Sequence, residues 1–270
     1  MTSNSVQCAV LGQPVSHSLS PVLHRAAYSA LGLDWSYSAI ECGADGLAQF
    51  VQGLDSSWRG LSLTMPLKEA ALPLLDTWSV EVELTGAANT LLLEPDGGRT
   101  GLNTDVAGFV GALAEAGVRQ VDSMTILGTG ATARSAAAAA RSLGVKRLEV
   151  VGRRPAAADD VLAVAGAAEG ASVEWERAGL DSDLVISTVP PGVADVLMER
   201  IPASPGWLFD VIYAGWPTPF ATAWVRTGAA ALGGLELLLH QAFAQVTAMT
   251  GLPAPRTAMR EAAAGAAGLA

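Results

Sequence analysis

The 270-residue chain predicts an α/β fold of two domains, and three observations carry that expectation. Strand-like and helix-like runs alternate along its length, the order that builds mostly parallel sheets. A turn Gly128-x-Gly130-x-x-Ala133 follows one apolar run and opens an Ala-rich one, as in dinucleotide-binding units. Half of the residues are hydrophobic, enough to bury a substantial core at this length.

In chain order, residues 6–11 read as an apolar strand, and Ser20-Pro21 opens a helix to about residue 31. Pro suits that opening because the first helical turn leaves its missing N–H unneeded. A strand over 35–40, a helix near 46–51, a strand over 61–63 and a helix over 66–75 continue the alternation. Residues 89–94 and 99–103 flank Asp96-Gly97-Gly98, whose turn chemistry makes them a hairpin. Asp105 is placed to cap a helix running to about Ala116 and ended by Gly117. Strands follow at 124–127, 148–151, 184–187 and 208–212. Leu235, Leu238, Leu239, Ala242, Val246 and Met249 share one helical face, and Gly251 and Pro253 end that helix. The Ala-rich residues after Pro255 make a last helix. One domain then comprises residues 1–102 with 235–270, and a nucleotide-binding domain comprises 103–234.

Net charge is −10, which argues against non-specific binding to nucleic acid or anionic membrane, both of which need a basic face. An anionic small substrate stays allowed, because it answers to a local pocket. Cys8 and Cys42 lack a C-x-x-C spacing and a nearby His, so they read as buried free thiols with no metal role. Met1-Thr2-Ser3-Asn4-Ser5 has neither a basic nor an apolar leader region. No apolar stretch approaches the roughly 20 residues that span a bilayer. The chain reads as soluble and cytoplasmic.

Only Lys68 and Lys146 are lysines among sixteen basic residues. A lysine can exchange a proton where an arginine cannot. Lys68 follows a strand and Pro66, at the expected helix start where a cation is disfavoured. The alternative is a solvated charge. After the glycine turn, the next strand ends in Val151-Gly152-Arg153-Arg154 with no acid between Val150 and Pro155. An arginine there suits a ribose 2′-phosphate, whereas NAD sites carry an acid, so NADP is favoured. Gly128, Thr129, Gly130, Ala131 and Thr132 would take the pyrophosphate at the helix N-terminus.

Ser18 and Ser20 lie two apart between the first strand and first helix, at the sheet edge where ligands of α/β folds bind. The pair could hold a carboxylate; a helix cap is the plainer role for Ser20. His17 and His24 read as structural. Gly86-Ala87-Ala88-Asn89-Thr90 and Gly101-Leu102-Asn103-Thr104-Asp105 are two small-residue turns. Asp105 is a candidate partner for Lys68, since a Lys–carboxylate pair can move a proton to a substrate oxygen.

Together these segments resemble shikimate dehydrogenase over residues 12–251. Gly12-Gln13-Pro14-Val15-Ser16-His17-Ser18-Leu19-Ser20-Pro21 is similar to the family's substrate-binding opening. Thr64-Met65-Pro66-Leu67-Lys68 is similar to its catalytic-lysine segment, the two Asn-Thr turns to its own, and Leu237-Leu238-Leu239-His240-Gln241-Ala242 to its closing helix. The resemblance implies reversible, NADPH-dependent reduction of 3-dehydroshikimate to shikimate in aromatic amino-acid synthesis, by a monomer or homodimer. It implies that Ser18, Ser20 and Tyr213 bind the carboxylate, and that Thr64, Lys68, Asn89, Asp105 and Gln241 surround the ring hydroxyls. Lys68 would protonate the alkoxide, with Asp105 orienting it, in a closing cleft between the domains. Thr188, Val211 and Gly234 would join the glycine turn, Arg153 and Arg154 at the cofactor.

This chain departs from the family pattern in three places. Gly152-Arg153-Arg154 replaces Asn-Arg-Thr, Ser187-Thr188-Val189 replaces Asn-Ala-Thr, and Leu237 replaces a Met. The alternatives are an NAD-preferring quinate/shikimate dehydrogenase and, from another class, a non-catalytic sensor of shikimate-like ligands. The first calls for an acid after Val151, and the second for loss of Lys68 or Asp105 or a basic appended module. The sequence has none of these features.

Overall fold

The computed structural model describes residues 5–267. The leader-region reading of the amino terminus falls mostly on Met1–Asn4, outside the described residues. The chain divides into two compact units, Met1–Thr104 with Leu238–Ala270, and Asp105–Leu237. We call them unit 1 and unit 2.

Unit 1 carries β1 (Val6–Gly12), α1 (Ser20–Ala30), β2 (Trp35–Glu41), α2 (Ala44–Gln52), β3 (Trp58–Leu63) and α3 (Leu67–Ala70). It continues with β4 (Thr77–Trp78), α4 (Val80–Thr85), β5 (Thr90–Leu93) and β6 (Arg99–Leu102). Its sheet runs β2-β1-β3-β5-β6-β4. β1 pairs in parallel with both β2 and β3, and the β5–β6 hairpin adds on antiparallel to β3. The sheet is therefore mixed rather than wholly parallel. Leu11, Leu61, Leu63, Leu67 and Leu91 form the heart of one apolar cluster; truncating any one to Ala costs about 2–5 kcal/mol.

The helix expected over 66–75 is not continuous. Pro66 occupies the N-cap rather than the first turn, α3 lasts one turn, and a 3₁₀ turn at Leu72–Leu74 follows. Pro73 explains the break: it lacks an N–H and its ring clashes with the carbonyl four residues back. An isolated turn this short has little macrodipole, so the dipole argument for Lys68 falls with it.

α5 (Thr104–Glu115) begins at the unit boundary, and Asp105 lies inside its first turn rather than at the cap. Unit 2 then carries β7 (Ser123–Leu127), α6 (Ala131–Ser142), β8 (Arg147–Val151), α7 (Pro155–Ala165), β9 (Glu169–Val173), β10 (Leu184–Ser187), β11 (Trp207–Asp210), α8 (Pro219–Arg226) and β12 (Ala231–Gly233). Its sheet, β12-β11-β10-β7-β8-β9, is parallel throughout. In α6 the run from Ser135 to Ala140 is buried, so small side chains let this helix approach its neighbours closely. Trp224 is fully buried and its indole N–H donates to Gly206 O at 3.0 Å, as a buried indole requires.

α9 (Gly234–Thr250) crosses the second boundary, and α10 (Arg256–Ala267) follows it in unit 1. Leu239, Ala242, Val246 and Met249 are buried as the helical spacing predicts, while Leu235 and Leu238 are half-buried. Cys8 and Cys42 are buried free thiols. No helix among the described residues is long and apolar enough to cross a membrane.

Candidate active site

In unit 1 the chemistry-bearing turns converge at the ends of β1, β3, β5 and β6. Gly12 ends β1, and a methyl added there would collide with Thr64 Cγ2, so only glycine lets the Thr64 side chain sit across it. Gln13 N–H donates to Met65 O at 2.9 Å and Thr64 N–H to Leu11 O at 2.9 Å, which fixes the Thr64–Lys68 turn against β1. Lys68 is half-buried. Its backbone carbonyl accepts from Ala88 N–H at 2.8 Å, and Leu63 N–H donates to Asn89 O at 2.7 Å. The lysine segment and the first Asn-Thr turn are thus tied together through the backbone.

Asn89 is 2 % exposed and stands at the centre of a side-chain network. Its Oδ1 accepts from Thr104 N–H (2.9 Å), Thr104 Oγ1 (3.1 Å) and Thr90 Oγ1 (2.9 Å). Its Nδ2 faces Thr104 Oγ1 at 2.9 Å and Gln241 Oε1 at 3.5 Å. Gln241, in α9, donates from Nε2 to Leu238 O at 2.9 Å. Asn103 braces the second turn by donating to Thr85 Oγ1 (2.9 Å) and Ala87 O (3.1 Å). Asn89, Thr104 and Gln241 are therefore pre-positioned amides and a hydroxyl, suited to reading the hydroxyls of a polar ring.

Ser18 Oγ accepts from Ser20 N–H at 3.3 Å, and α1 has no side-chain cap, so Ser20 is not acting as one. Ser18 is half-buried and Ser20 buried. His17 is exposed. His24 is fully buried between Tyr28, Tyr37 and Gln245, and burial lowers its pKa to about 3, so it is neutral.

Unit 2 offers backbone instead. Gly128 has φ +114°, a conformation that L side chains rarely adopt, and a Cβ there would strike Thr188 Oγ1. That hydroxyl donates to Leu127 O at 2.9 Å, so Thr188 braces the glycine turn. A Cβ at Gly130 would meet only open space, and α6 starts at Ala131 with no side-chain cap. The first-turn N–H groups of such a helix suit a phosphate. At the end of β8, a Cβ on Gly152 would run into Thr129 Cγ2. Where the family pattern has Asn, this chain fills the space from the glycine turn. Arg153 and Arg154 beside it are exposed.

After β11, Asp210 accepts from Ile212 N–H (3.2 Å) and Thr218 Oγ1 (2.8 Å), clasping the loop that carries Val211 and Tyr213. Burial raises the Asp210 carboxyl above its ordinary pKa and the Tyr213 phenol likewise. Gly234 packs flat on the Val211 carbonyl, where any side chain would clash. Asp105 is 5 % exposed at the start of unit 2. Among the described residues no cluster of His, Cys, Asp or Glu could hold a metal.

Two family models match the chain: the shikimate dehydrogenase substrate binding domain over residues 10–91, and the shikimate 5′-dehydrogenase C-terminal domain over 234–264. Shikimate dehydrogenase (NADP(+)) of Moorella thermoacetica is 36% identical over 267 residues, 93% of this chain and 90% of that protein. The chain belongs to the shikimate dehydrogenase family. Among solved members, shikimate 5-dehydrogenase of Mycobacterium fortuitum is 43% identical, with TM-score 0.86 over 97% of this chain and 99% of that one. The Thermus thermophilus enzyme, solved with NADP(H) and shikimate, is 33% identical, with TM-score 0.86 over the same shares.

The structure joins Asn89 and Gln241 in one hydrogen-bond network, some of whose members sequence reasoning passes over. Thr90, Thr104 and Gln245 do not stand out as site residues in the sequence. Gln245 leaves one trace: it is a polar residue at 1 % exposure on the apolar face of α9, in step with Leu238, Ala242 and Met249. Asp210 leaves none, because its role depends on a hydroxyl eight residues away.

Proposed function

We propose that this chain catalyses the NADPH-dependent, reversible reduction of 3-dehydroshikimate to shikimate, as a cytoplasmic monomer or homodimer. The observation that carries the reading is the Asn89–Thr104–Gln241 network, tied by backbone bonds to the Lys68 turn. In a family named for shikimate, a preformed set of amides and hydroxyls beside a lysine suits a polyhydroxylated ring whose ketone is reduced.

Asn89, Gln241 and Thr64 hold the ring hydroxyls, and Ser18, Ser20 and Tyr213 hold the carboxylate. Lys68 gives a proton to the oxygen that becomes the alkoxide, and takes it back in the oxidative direction. Asp105 keeps the ammonium aimed at that oxygen. Gly128, Thr129, Gly130, Ala131 and Thr132 receive the pyrophosphate, while Arg153 and Arg154 neutralise the 2′-phosphate. Thr188, Val211 and Gly234 shape the nicotinamide side. When bound, NADPH supplies the hydride.

The test is initial rates with shikimate and quinate, each with NADP and NAD, for wild type and Lys68→Ala. Shikimate with NADP dominates in the wild type. Lys68→Ala loses at least about a thousandfold in turnover while shikimate still binds by calorimetry. Near-normal turnover in that variant overturns the mechanism, and dominant quinate with NAD overturns the substrate assignment.

A further inference from the structure

We propose that Gln245 and Thr90 are positioning residues that lock the side-chain amide of Asn89 and so set the affinity for substrate; this rests on the reading of Asn89 as a ring-hydroxyl ligand.

Gln245 is 1 % exposed, and all four hydrogen-bonding positions of its amide have partners. Its Oε1 accepts from Ser62 Oγ at 2.9 Å and faces His24 Nε2 at 3.3 Å. Its Nε2 donates to Asn89 O at 3.2 Å and to Thr90 Oγ1 at 2.9 Å. Behind it, Tyr37 OH donates to Ser62 Oγ at 2.6 Å. In front, Thr90 Oγ1 donates to Asn89 Oδ1 at 2.9 Å.

These bonds run in one direction. Tyr37 donates to Ser62, Ser62 to Gln245, Gln245 to Thr90, and Thr90 to Asn89. A hydroxyl is otherwise a free rotor that can donate either way. With the Gln245 N–H pointed at its lone pair, the Thr90 hydroxyl must turn its own hydrogen elsewhere, and Asn89 Oδ1 is the acceptor in reach. Asn89 Oδ1 is then held toward Thr90 and the Thr104 N–H, and Nδ2 toward Thr104 Oγ1 and Gln241 Oε1. The same Gln245 NH₂ group pins the Asn89 backbone carbonyl, so both main chain and side chain are fixed from one buried amide. His24 contributes as a neutral neighbour, since burial keeps it uncharged.

Chains of buried hydrogen bonds polarise one another, and breaking one link leaves the others under-satisfied. Steady-state kinetics on Thr90→Val, Thr90→Ser and Gln245→Leu test the proposal. Thr90→Val and Gln245→Leu each raise the KM for shikimate about tenfold. In both, kcat falls less than about threefold and the KM for NADP stays put. Thr90→Ser, which keeps the hydroxyl, returns the shikimate KM to within about twofold of wild type. Should Gln245→Leu fail to fold, the Thr90 pair decides alone. A shikimate KM unmoved in Thr90→Val, or equally raised in Thr90→Ser, overturns the proposal.

Asn89→Ala, measured alongside, separates two kinds of failure. A raised KM there with none in Thr90→Val overturns the positioning role alone. An unmoved KM in Asn89→Ala overturns the assignment of Asn89 to substrate, and the positioning role with it.

Discussion

The two units build the sites proposed for their ligands in opposite ways. In unit 1 the polar side chains are buried and commit to one another: Asn89, Thr90, Thr104, Gln241 and Gln245 exchange hydrogen bonds. In unit 2 the recognition surface we propose is main chain, a glycine turn and a helix start with no side-chain cap, with two exposed arginines beyond it. The contrast follows from what each ligand offers. A ring with several hydroxyls is distinguished by direction, which demands fixed donors and acceptors. A pyrophosphate is distinguished by charge and size, which main-chain N–H groups and exposed guanidinium groups satisfy.

The sharpest way to break this contrast is Gly128→Ala. A methyl at φ +114° is strained and runs into Thr188, so NADP affinity falls by at least about a hundredfold while shikimate affinity changes less than about threefold. Calorimetry with each ligand alone reads both, and equal losses would mean that the two units do not bind independently. A smaller effect comes from Arg153→Ala with Arg154→Ala. The KM for NADP rises about 10- to 100-fold while that for NAD barely moves, and a parallel rise for NAD would remove the arginines from the 2′-phosphate.

The effect smallest near neutral pH concerns stability in unit 1. His24 has an ordinary pKa of 6.5 and a folded value of about 3. Above pH 6.5 both folded and unfolded chains hold it neutral, and no penalty arises. As pH falls from about 6.5 toward 3, the unfolded chain takes up a proton that the fold refuses. Stability then drops by up to about 1.4 kcal/mol per pH unit. His24→Gln removes that slope, so its urea midpoint approaches or passes the wild type's in acid. Parallel curves for the two proteins would show that His24 is not the buried titrating group.

Much of this is legible from the chain, for identifiable reasons. Alternating apolar runs give away the long strands, and turn residues give away the hairpin, because both signals are local. The break in the 66–75 helix is legible too, in Pro73, but the apolar spacing around it speaks louder. β4 and β12 span only two and three residues, too few for a period to register. The network behind Asn89 joins Ser62 to Gln245, 183 positions apart in sequence, and no spacing rule reaches that far. Family resemblance supplies the site residues we propose; Gln245 needs coordinates, since a lone glutamine among apolar neighbours has many readings.

The discontinuity of unit 1 has a consequence for synthesis. Its sheet is encoded before Thr104, while Gln241 and Gln245 come only after all of Asp105–Leu237. At ribosomal speeds of about 5–20 residues per second, the Ser62, Thr90 and Asn89 side chains wait on the order of ten seconds without their amide partners. That interval is taken up by the synthesis of unit 2, whose sequence is complete at Leu237, before Gln241 and Gln245 are made. The nascent chain therefore exposes an unfinished polar face on unit 1, and the last-made helix is what closes it.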